Sequence, residues 1–156
     1  MEDGRISYWL MITSRGYWSH LCEKHEWAFS DRSLRFAEKM RPGDRGIVYL
    51  LKKDRREPSA LGGTLVVTGT VVRRVGDSIF DRMFPVRLPI EVVCVLKAPL
   101  PFGLMVPSID FIKRKDHWGS YLQGHDAIEL GVSDYRVMSR AIEKAAKERI
   151  PVSHSV

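Results

Sequence analysis

A group of aromatic and polar side chains in this 156-residue sequence could recognise a flat, uncharged ring. Trp27 and Phe29 are separated by one residue within residues 26–32, a segment predicted to connect two helices, where polar residues are the norm. An aromatic ring stacks on a nucleobase, which contributes roughly 1–3 kcal/mol per base, and neighbouring amides or hydroxyls can read the base edge. The candidates for such a pocket are Ser14, Trp27, Phe29, Phe80, Met83, Phe84, Trp118, Gln123 and His125.

The same aromatic residues have a simpler structural explanation. Trp27 and Phe29 could cover the hydrophobic core rather than line a pocket. Phe80, Met83 and Phe84 could likewise pack beneath the loop, residues 75–84, in which we expect them. The sequence leaves both alternatives open.

The charge of the chain favours a polyanionic partner. The formal net charge is +6 and the sequence pI is about 9.5, and a basic protein attracts nucleic acid first. A solvated, charged surface is the alternative explanation. The longest apolar run, residues 92–96, is far shorter than the roughly 20 residues that cross a bilayer, so we expect no membrane partner. The candidates for phosphate contacts are Lys52, Lys53, Arg82, Lys113, Arg114 and Lys115.

No motif for catalysis or for a cofactor is present. The sequence lacks the Gly-x-Ser-x-Gly motif, a phosphate-binding glycine loop and His-Glu-x-x-His, and Cys22 and Cys94 belong to no metal-binding spacing. His125 and Asp126 could form an acid/base pair, but neighbours on a strand usually point to opposite faces. We therefore predict no catalytic residue, metal site or cofactor. The N-terminus carries no signal-peptide pattern, and we expect a cytosolic protein.

The patterns predict several elements that would position these side chains. Residues 5–13 read as a strand with two apolar faces, which predicts a central strand covered on both sides. Ser14 can cap a helix that runs to about Lys24, and a second short helix starts near residue 31. Further strands are predicted at residues 46–51, 64–74 and 85–96, with a hairpin loop at 52–63 and a final helix at 134–149.

These elements favour one α+β domain with a small, curved mixed sheet or barrel of five to six strands flanked by short helices. We assign residues 1–150 to this domain and residues 151–156 to a flexible tail. The spacing of the strands is too irregular for a doubly wound parallel sheet.

The order of the motifs resembles the EVE domain family, a branch of the PUA-like superfold related to YTH domains. The likeness covers nearly the whole chain. The matching pieces are Tyr8-Trp9-Leu10-Met11-Ile12-Thr13-Ser14, Trp27-Ala28-Phe29-Ser30, Met40-Arg41-Pro42-Gly43-Asp44, Phe84-Pro85-Val86-Arg87, Leu104 to Gly119 with Trp118-Gly119, and the closing Asp134-Tyr135 helix.

The resemblance implies a PUA-like barrel and a non-enzymatic reader of a modified base. Such a reader holds a methylated or otherwise modified cytosine or adenine, of DNA or RNA, in an aromatic pocket after base flipping. By position, Trp27 matches the first Trp of that pocket, Ser14 the polar residue that ends the first strand, and Trp118 the late Trp. Ser30 and Gly119 join the candidate pocket through the same motifs.

The sequence departs from the family pattern at the rim of that pocket. Ala28 replaces the usual Gly, Phe29-Ser30 replaces Val-Pro, and Gln123 stands where a basic residue is expected. Two other functions stay open. One is a PUA-like RNA-processing enzyme that uses His125, Asp126 or Lys115, and the other is a protein that binds a free nucleoside. No nuclease or ATPase module lies within these residues, so a restriction or RNA-processing role would need a separate partner.

Overall fold

The structure is a computed structural model that describes residues 5–53, 56–113, 115, 122 and 124–149. Its strands are β1 (Tyr8–Thr13), β2 (Glu26–Phe29), β3 (Arg45–Leu50), β4 (Ala60–Val67), β5 (Val72–Arg73), β6 (Val86–Pro101) and β7 (Ala127–Leu130). Its α-helices are α1 (Arg15–Lys24), α2 (Leu34–Ala37), α3 (Ile79–Met83) and α4 (Val132–Arg149). Short 3-10 helices cover Asp31–Ser33, Phe102–Leu104 and Val106–Ser108.

The strands form one mixed, curled sheet. Its order is β2-β6-β4-β3-β1-β7, and β5 also pairs with β6. β1 and β3 are parallel, whereas every other pair in the described residues is antiparallel. The register of β4 shifts against β3 and against β6, and such bulges bend strands and increase their twist. The predicted α+β class is confirmed, with seven strands in the described residues rather than five to six.

β1 is the central strand that its two apolar faces predict. Trp9 and Met11 belong to one hydrophobic core, and Leu10 and Ile12 belong to a second core on the other side of the sheet. The predicted final helix, α4, packs its apolar stripe, including Met138, against the second core. Both predictions are therefore confirmed.

The segment with Trp27 and Phe29 differs from its prediction. Residues 26–29 form β2 rather than a loop, and β2 pairs antiparallel with the first residues of β6. Because side chains alternate along a strand, Trp27 and Phe29 share a buried face, and Ala28 lies on the other. Only four residues carry this alternation, which is too short a pattern to identify a strand from the sequence.

Three more boundaries differ from the prediction. The predicted loop at 52–63 ends early, because Gly62 and Gly63 belong to β4, where a Cβ on Gly63 would lie 2.1 Å from the Cys94 carbonyl oxygen. The predicted strand at 64–74 is divided into β4 and β5 around Gly69. The predicted loop at 75–84 contains α3, whose amide of Asp81 donates to the Ser78 hydroxyl at 3.0 Å. No helix in the described part of the chain is both long and apolar enough for a membrane span.

Candidate functional site

A cavity of about 150 Å³ opens where β1 ends and α1 begins. The parallel pairing of β1 and β3 brings their carboxyl ends together, and the Leu51 amide donates to the Thr13 carbonyl at 2.9 Å. α3 closes one side of the cavity, and the residues before β7 close another. The cavity is lined by Ile12, Thr13, Ser14, Tyr17, Leu21, Ala28, Leu51, Phe80, Phe84, His125 and Asp126.

Ser14 supplies a hydroxyl that is fixed by its place in the fold. Its oxygen accepts a hydrogen bond from the Tyr17 amide at 3.2 Å and so caps α1, as the sequence predicts. A hydroxyl that accepts from a backbone amide keeps its own O–H as a donor. Ser14 can therefore donate a hydrogen bond to a molecule in the cavity without releasing the helix cap.

Three aromatic rings form one wall of the cavity. The ring centroid of Tyr17 lies 4.8 Å from that of Phe80 and 5.3 Å from that of Phe84, both in edge-to-face orientation. The centroids of Phe80 and Phe84 lie 5.3 Å apart. Phe80 lies on α3 and Phe84 directly follows the helix; the Phe84 amide donates to the Phe80 carbonyl at 2.9 Å, which keeps the two residues one turn apart.

A buried arginine holds this wall from behind. Arg87 is only 2% exposed, and its guanidinium carbon lies 4.9 Å from the centroid of the Phe80 ring. Its Nε donates to the Phe84 carbonyl at 2.8 Å, Nη1 to Glu26 Oε1 at 2.7 Å, and Nη2 to Asp81 Oδ1 at 2.6 Å. Arg87 therefore connects β2 with the middle of α3 and with the residue that follows it, and fixes the position of the aromatic wall.

The two carboxylates around Arg87 differ in their surroundings. Glu26 is buried and also accepts a hydrogen bond from Arg74 Nη2 at 2.9 Å. Asp81 is partly exposed, and hydrogen bonds from Arg87 and then from the Ser78 hydroxyl lower the pKa of its carboxyl group. The lowered pKa means that Asp81 binds Arg87 as a carboxylate.

Asp126 supplies a carboxylate on the opposite side of the cavity. Its Oδ2 accepts hydrogen bonds from the Ser30 hydroxyl at 3.1 Å and from the Ser33 hydroxyl. Its backbone carbonyl accepts from the Ile12 amide at 3.0 Å, which ties this segment to β1. His125 and Asp126 precede β7, and both line the cavity. Neither residue lies on a strand, so the expected alternation to opposite faces does not apply to them.

The structure brings four of the predicted pocket residues to the cavity: Ser14, Phe80, Phe84 and His125. Ser30 reaches it indirectly through its hydrogen bond to Asp126. Met83 belongs to α3 but is 51% exposed and does not line the cavity. Trp118, Gly119 and Gln123 lie outside the described residues.

Trp27 and Phe29 are core residues, and their assignment to the cavity wall is wrong. Both are fully buried. The Trp27 ring packs against Trp18, with centroids 6.0 Å apart, and within the described residues its indole nitrogen has no hydrogen-bond partner. Ala28, which faces the other side of β2, lines the cavity instead. Ala28 lines the cavity in place of Trp27 because neighbouring side chains of β2 point to opposite sides of the strand.

The candidate phosphate contacts do not gather in one place along the fold. Lys52, Lys53 and Arg82 are exposed in segments next to cavity residues, namely Leu51 and α3. Lys113 and Lys115 are exposed in the segment after the 3-10 helices, where Lys115 Nζ donates to the Ile109 carbonyl. Arg114 lies outside the described residues. The candidate phosphate contacts therefore belong to three segments of the chain, of which two adjoin the cavity.

Several lining residues were missed from the sequence, including Thr13, Tyr17, Ala28 and Leu51. Thr13 and Leu51 follow from a parallel pairing of β1 with β3, which would place the ends of the two strands side by side. Tyr17 follows from the Ser14 cap, since it lies one turn into α1. In the described part of the chain, no group of three or more His, Cys, Asp or Glu side chains could hold a metal ion.

Comparison with known proteins identifies the family of this chain. Residues 7–124 match the model of the EVE domain family. The UPF0310 protein of Pyrococcus abyssi is 29% identical over 141 residues, covering 85% of this chain and 97% of that protein. The UPF0310 protein of Pyrococcus horikoshii is 22% identical over 147 residues, covering 88% of this chain and 99% of that protein.

Solved structures share the fold at low sequence identity. The YTH domain-containing protein mmi1, solved as a complex with RNA, has a TM-score of 0.67 at 12% identity and covers 96% of this chain and 92% of its own. A hypothetical protein from Leishmania major has a TM-score of 0.65 at 11% identity, covering 92% and 98%. The predicted PUA-like fold and its relation to YTH domains are confirmed. Because the family model matches well over half of the sequence, this chain belongs to the EVE domain family.

Proposed function

We propose that this protein binds nucleic acid by accepting one modified base in the cavity between β1 and α3. The observation that carries the proposal is the lining: aromatic rings on one side, and the Ser14 hydroxyl and the Asp126 carboxylate elsewhere in the wall. Its volume of about 150 Å³ suits a single ring, since a dry engineered cavity of that size holds one benzene.

The lining also suits the chemistry of a base. Tyr17, Phe80 and Phe84 offer apolar contact to the ring and to a methyl substituent. Asp126 can accept a hydrogen bond from an exocyclic amino group, which cytosine and adenine carry, and Ser14 can donate to a ring nitrogen or carbonyl. Modified cytosine or adenine is therefore the expected ligand class.

A base that occupies this cavity must leave its stack. A duplex is far wider than the cavity, so the target nucleotide has to rotate out of the helix or come from a single strand. Lys52, Lys53 and Arg82, exposed beside the cavity, would then contact the phosphates. Affinity should fall as salt rises, because phosphate contacts release counterions.

Binding without catalysis is the proposed activity, and the position of His125 and Asp126 gives an enzymatic alternative. Both line the cavity, so an RNA-processing reaction that uses them can be tested directly. The described hydrogen bonds to the Asp126 side chain come from Ser30 and Ser33, which suits an acceptor held in place for a ligand. Turnover of labelled RNA that disappears in His125→Ala would favour the enzyme.

The proposal is tested by fluorescence anisotropy with labelled oligonucleotides that carry one central base. The set comprises unmodified, 5-methylated and 5-hydroxymethylated cytosine, and unmodified and N6-methylated adenine, each as DNA and as RNA. The wild-type protein should prefer at least one modified oligonucleotide over its unmodified counterpart. Free modified nucleosides serve as a further arm, since a reader should gain affinity from attached phosphates.

Two variants connect any preference to the cavity. Ala28→Leu places a larger side chain in the cavity, and Phe80→Ala removes part of its wall. Ala98→Leu is the matched control, because Ala98 lies half-buried in β6 and does not line the cavity. The first two should remove the preference and the control should retain it. Equal binding of all oligonucleotides by the wild-type protein would overturn the proposal.

A further inference from the structure

α3 and the segment before it carry an unusual concentration of exposed apolar side chains. Ten large hydrophobic residues are exposed in the described part of the chain, and four of them fall within residues 72–83. These are Val72, Val75, Ile79 and Met83, exposed by 50%, 93%, 74% and 51%. Single exposed apolar residues are normal, whereas a local group of them marks an interaction site.

The helix itself has two apolar sides with different surroundings. Phe80 and Phe84 line the cavity, whereas Ile79 and Met83, which are also separated by one helical turn, are exposed to solvent. The same short helix therefore forms the wall of the cavity and presents two apolar side chains beside it.

This helix is held firmly in place. Ser78 caps its start, and Arg87 binds the Asp81 side chain and the Phe84 carbonyl. The Phe80 ring is packed between Tyr17 and the Arg87 guanidinium. Ile79 and Met83 are thus presented by an element that is fixed from its buried side.

Cationic side chains flank the apolar group. Arg73 and Arg74 lie between Val72 and Val75, and Arg82 is exposed on α3 itself. Arg73 lies 2.7 Å from Asp31 and Arg74 lies 2.9 Å from Glu26, so these two arginines are positioned by ion pairs. Apolar side chains beside cations match a nucleic acid, in which the stacking faces of the bases are largely apolar and the phosphates flank them.

We propose that Ile79 and Met83 form a wedge that inserts into the base stack beside the flipped base. The proposal rests on the proposed function, since it needs a base in the cavity. A base that leaves a duplex leaves a gap in the stack, and the gap favours its return. Apolar side chains that enter the stack replace the lost contact, and α3 presents two of them next to the cavity that would hold the base.

The wedge makes a prediction that separates it from the cavity. It should matter for a duplex, in which a gap must be filled, and not for a single strand, which has no paired stack to repair. We expect Ile79→Ser/Met83→Ser to weaken binding to a duplex with one modified base by about tenfold or more, equivalent to about 1.4 kcal/mol. Binding to the same modified single strand should stay within about twofold, which lies inside ordinary experimental scatter.

The matched control is Val93→Ser/Val95→Ser. These two residues are exposed by 61% and 52% on β6, outside the cavity lining, so the change in surface polarity is comparable. Anisotropy with duplex and single-stranded forms of one oligonucleotide gives the affinities. Emission of 2-aminopurine, placed next to the modified base, reports unstacking. The wedge variant should reduce the emission change in the duplex, and the control should leave it intact.

The outcomes distinguish the wedge from the cavity. An equal loss on duplex and single strand, no loss on either, or a wild-type protein that binds only single strands would each overturn the wedge. None of these results affects the cavity, which is judged by Phe80→Ala and by the preference for a modified base. Equal binding of modified and unmodified oligonucleotides by the wild-type protein would instead overturn the proposed function.

Discussion

Arg87→Met tests whether the buried arginine holds the cavity wall. Methionine keeps an apolar side chain of similar length against Phe80 but removes the three guanidinium nitrogens that donate to Phe84, Glu26 and Asp81. Glu26 and the Phe84 carbonyl then lose donors at 2.7 and 2.8 Å. Breaking a buried ion pair by removing one partner costs about 3–5 kcal/mol of unfolding free energy.

The lower end of that range applies here, because Glu26 keeps its second partner, Arg74, at 2.9 Å. We therefore expect a loss of about 3 kcal/mol. For a chain of this size each 1 kcal/mol lowers Tm by about 2–4 °C, so the expected decrease is about 6–12 °C. Calorimetry and urea unfolding measure both quantities, and a preference for a modified base should also weaken as the aromatic wall loses its support.

Arg74→Met is the control for the same carboxylate. The Arg74 side chain is 50% exposed, and a pair of this kind contributes about 1 kcal/mol or less. If Arg87→Met were no less stable than Arg74→Met, the argument that Arg87 carries a buried structural network would be refuted.

Three further predictions follow from the same structure. Arg87 lowers the pKa of Asp81 in the folded state. The stability that this carboxylate provides is therefore complete above its unfolded pKa, about 3.9, and is lost as pH falls through the folded pKa. In Asp81→Asn the free energy of unfolding should depend less on pH below about pH 4, and the same pH dependence as in the wild-type protein would contradict this. Gly63→Ala should lower the free energy of unfolding by about 3 kcal/mol, because the added Cβ clashes with the Cys94 carbonyl. Gly16→Ala, with open space around its Cβ position in α1, should raise it by about 0.5–1 kcal/mol. Equal melting temperatures of the two variants would disprove the close approach at Gly63. Trp27→Ala should cost about 3–5 kcal/mol of unfolding free energy, because Trp27 is fully buried. In binding titrations, folded Trp27→Ala should lose less of the preference for a modified base than Phe80→Ala does. A larger loss in Trp27→Ala would show that Trp27 belongs to the binding site.

Short-range sequence patterns predicted the helices, turns and strands that surround the site. Ser14 caps α1, Gly43 adopts a φ of +97° after Pro42, and α4 packs an apolar stripe against the second core. Each of these depends on residues close together in the sequence, where capping, turn geometry and periodicity act directly. The central position of β1 was predictable for the same reason, because both of its faces are apolar.

The contacts that complete the site depend on distant pairing. Arg87 meets Glu26 across 61 positions because β2 and β6 pair in one register, and Asp126 meets Ser30 across 96 positions. Before that register is known, Arg87 reads as an outward-facing charge in an alternating strand. The exchange of Trp27 for Ala28 at the cavity has the same origin, since a strand turns its neighbours to opposite sides.

The most direct test of the central claim is an NMR comparison of two complexes that differ by one base modification. Backbone amide shifts are recorded with an oligonucleotide that the protein prefers and with its unmodified counterpart, both near saturation. Shift differences between the complexes should concentrate at Ser14 to Tyr17, Ala28, Phe80 to Phe84 and Asp126. Differences that fall instead on α4 or on the exposed face of β6 around Val93 would contradict it.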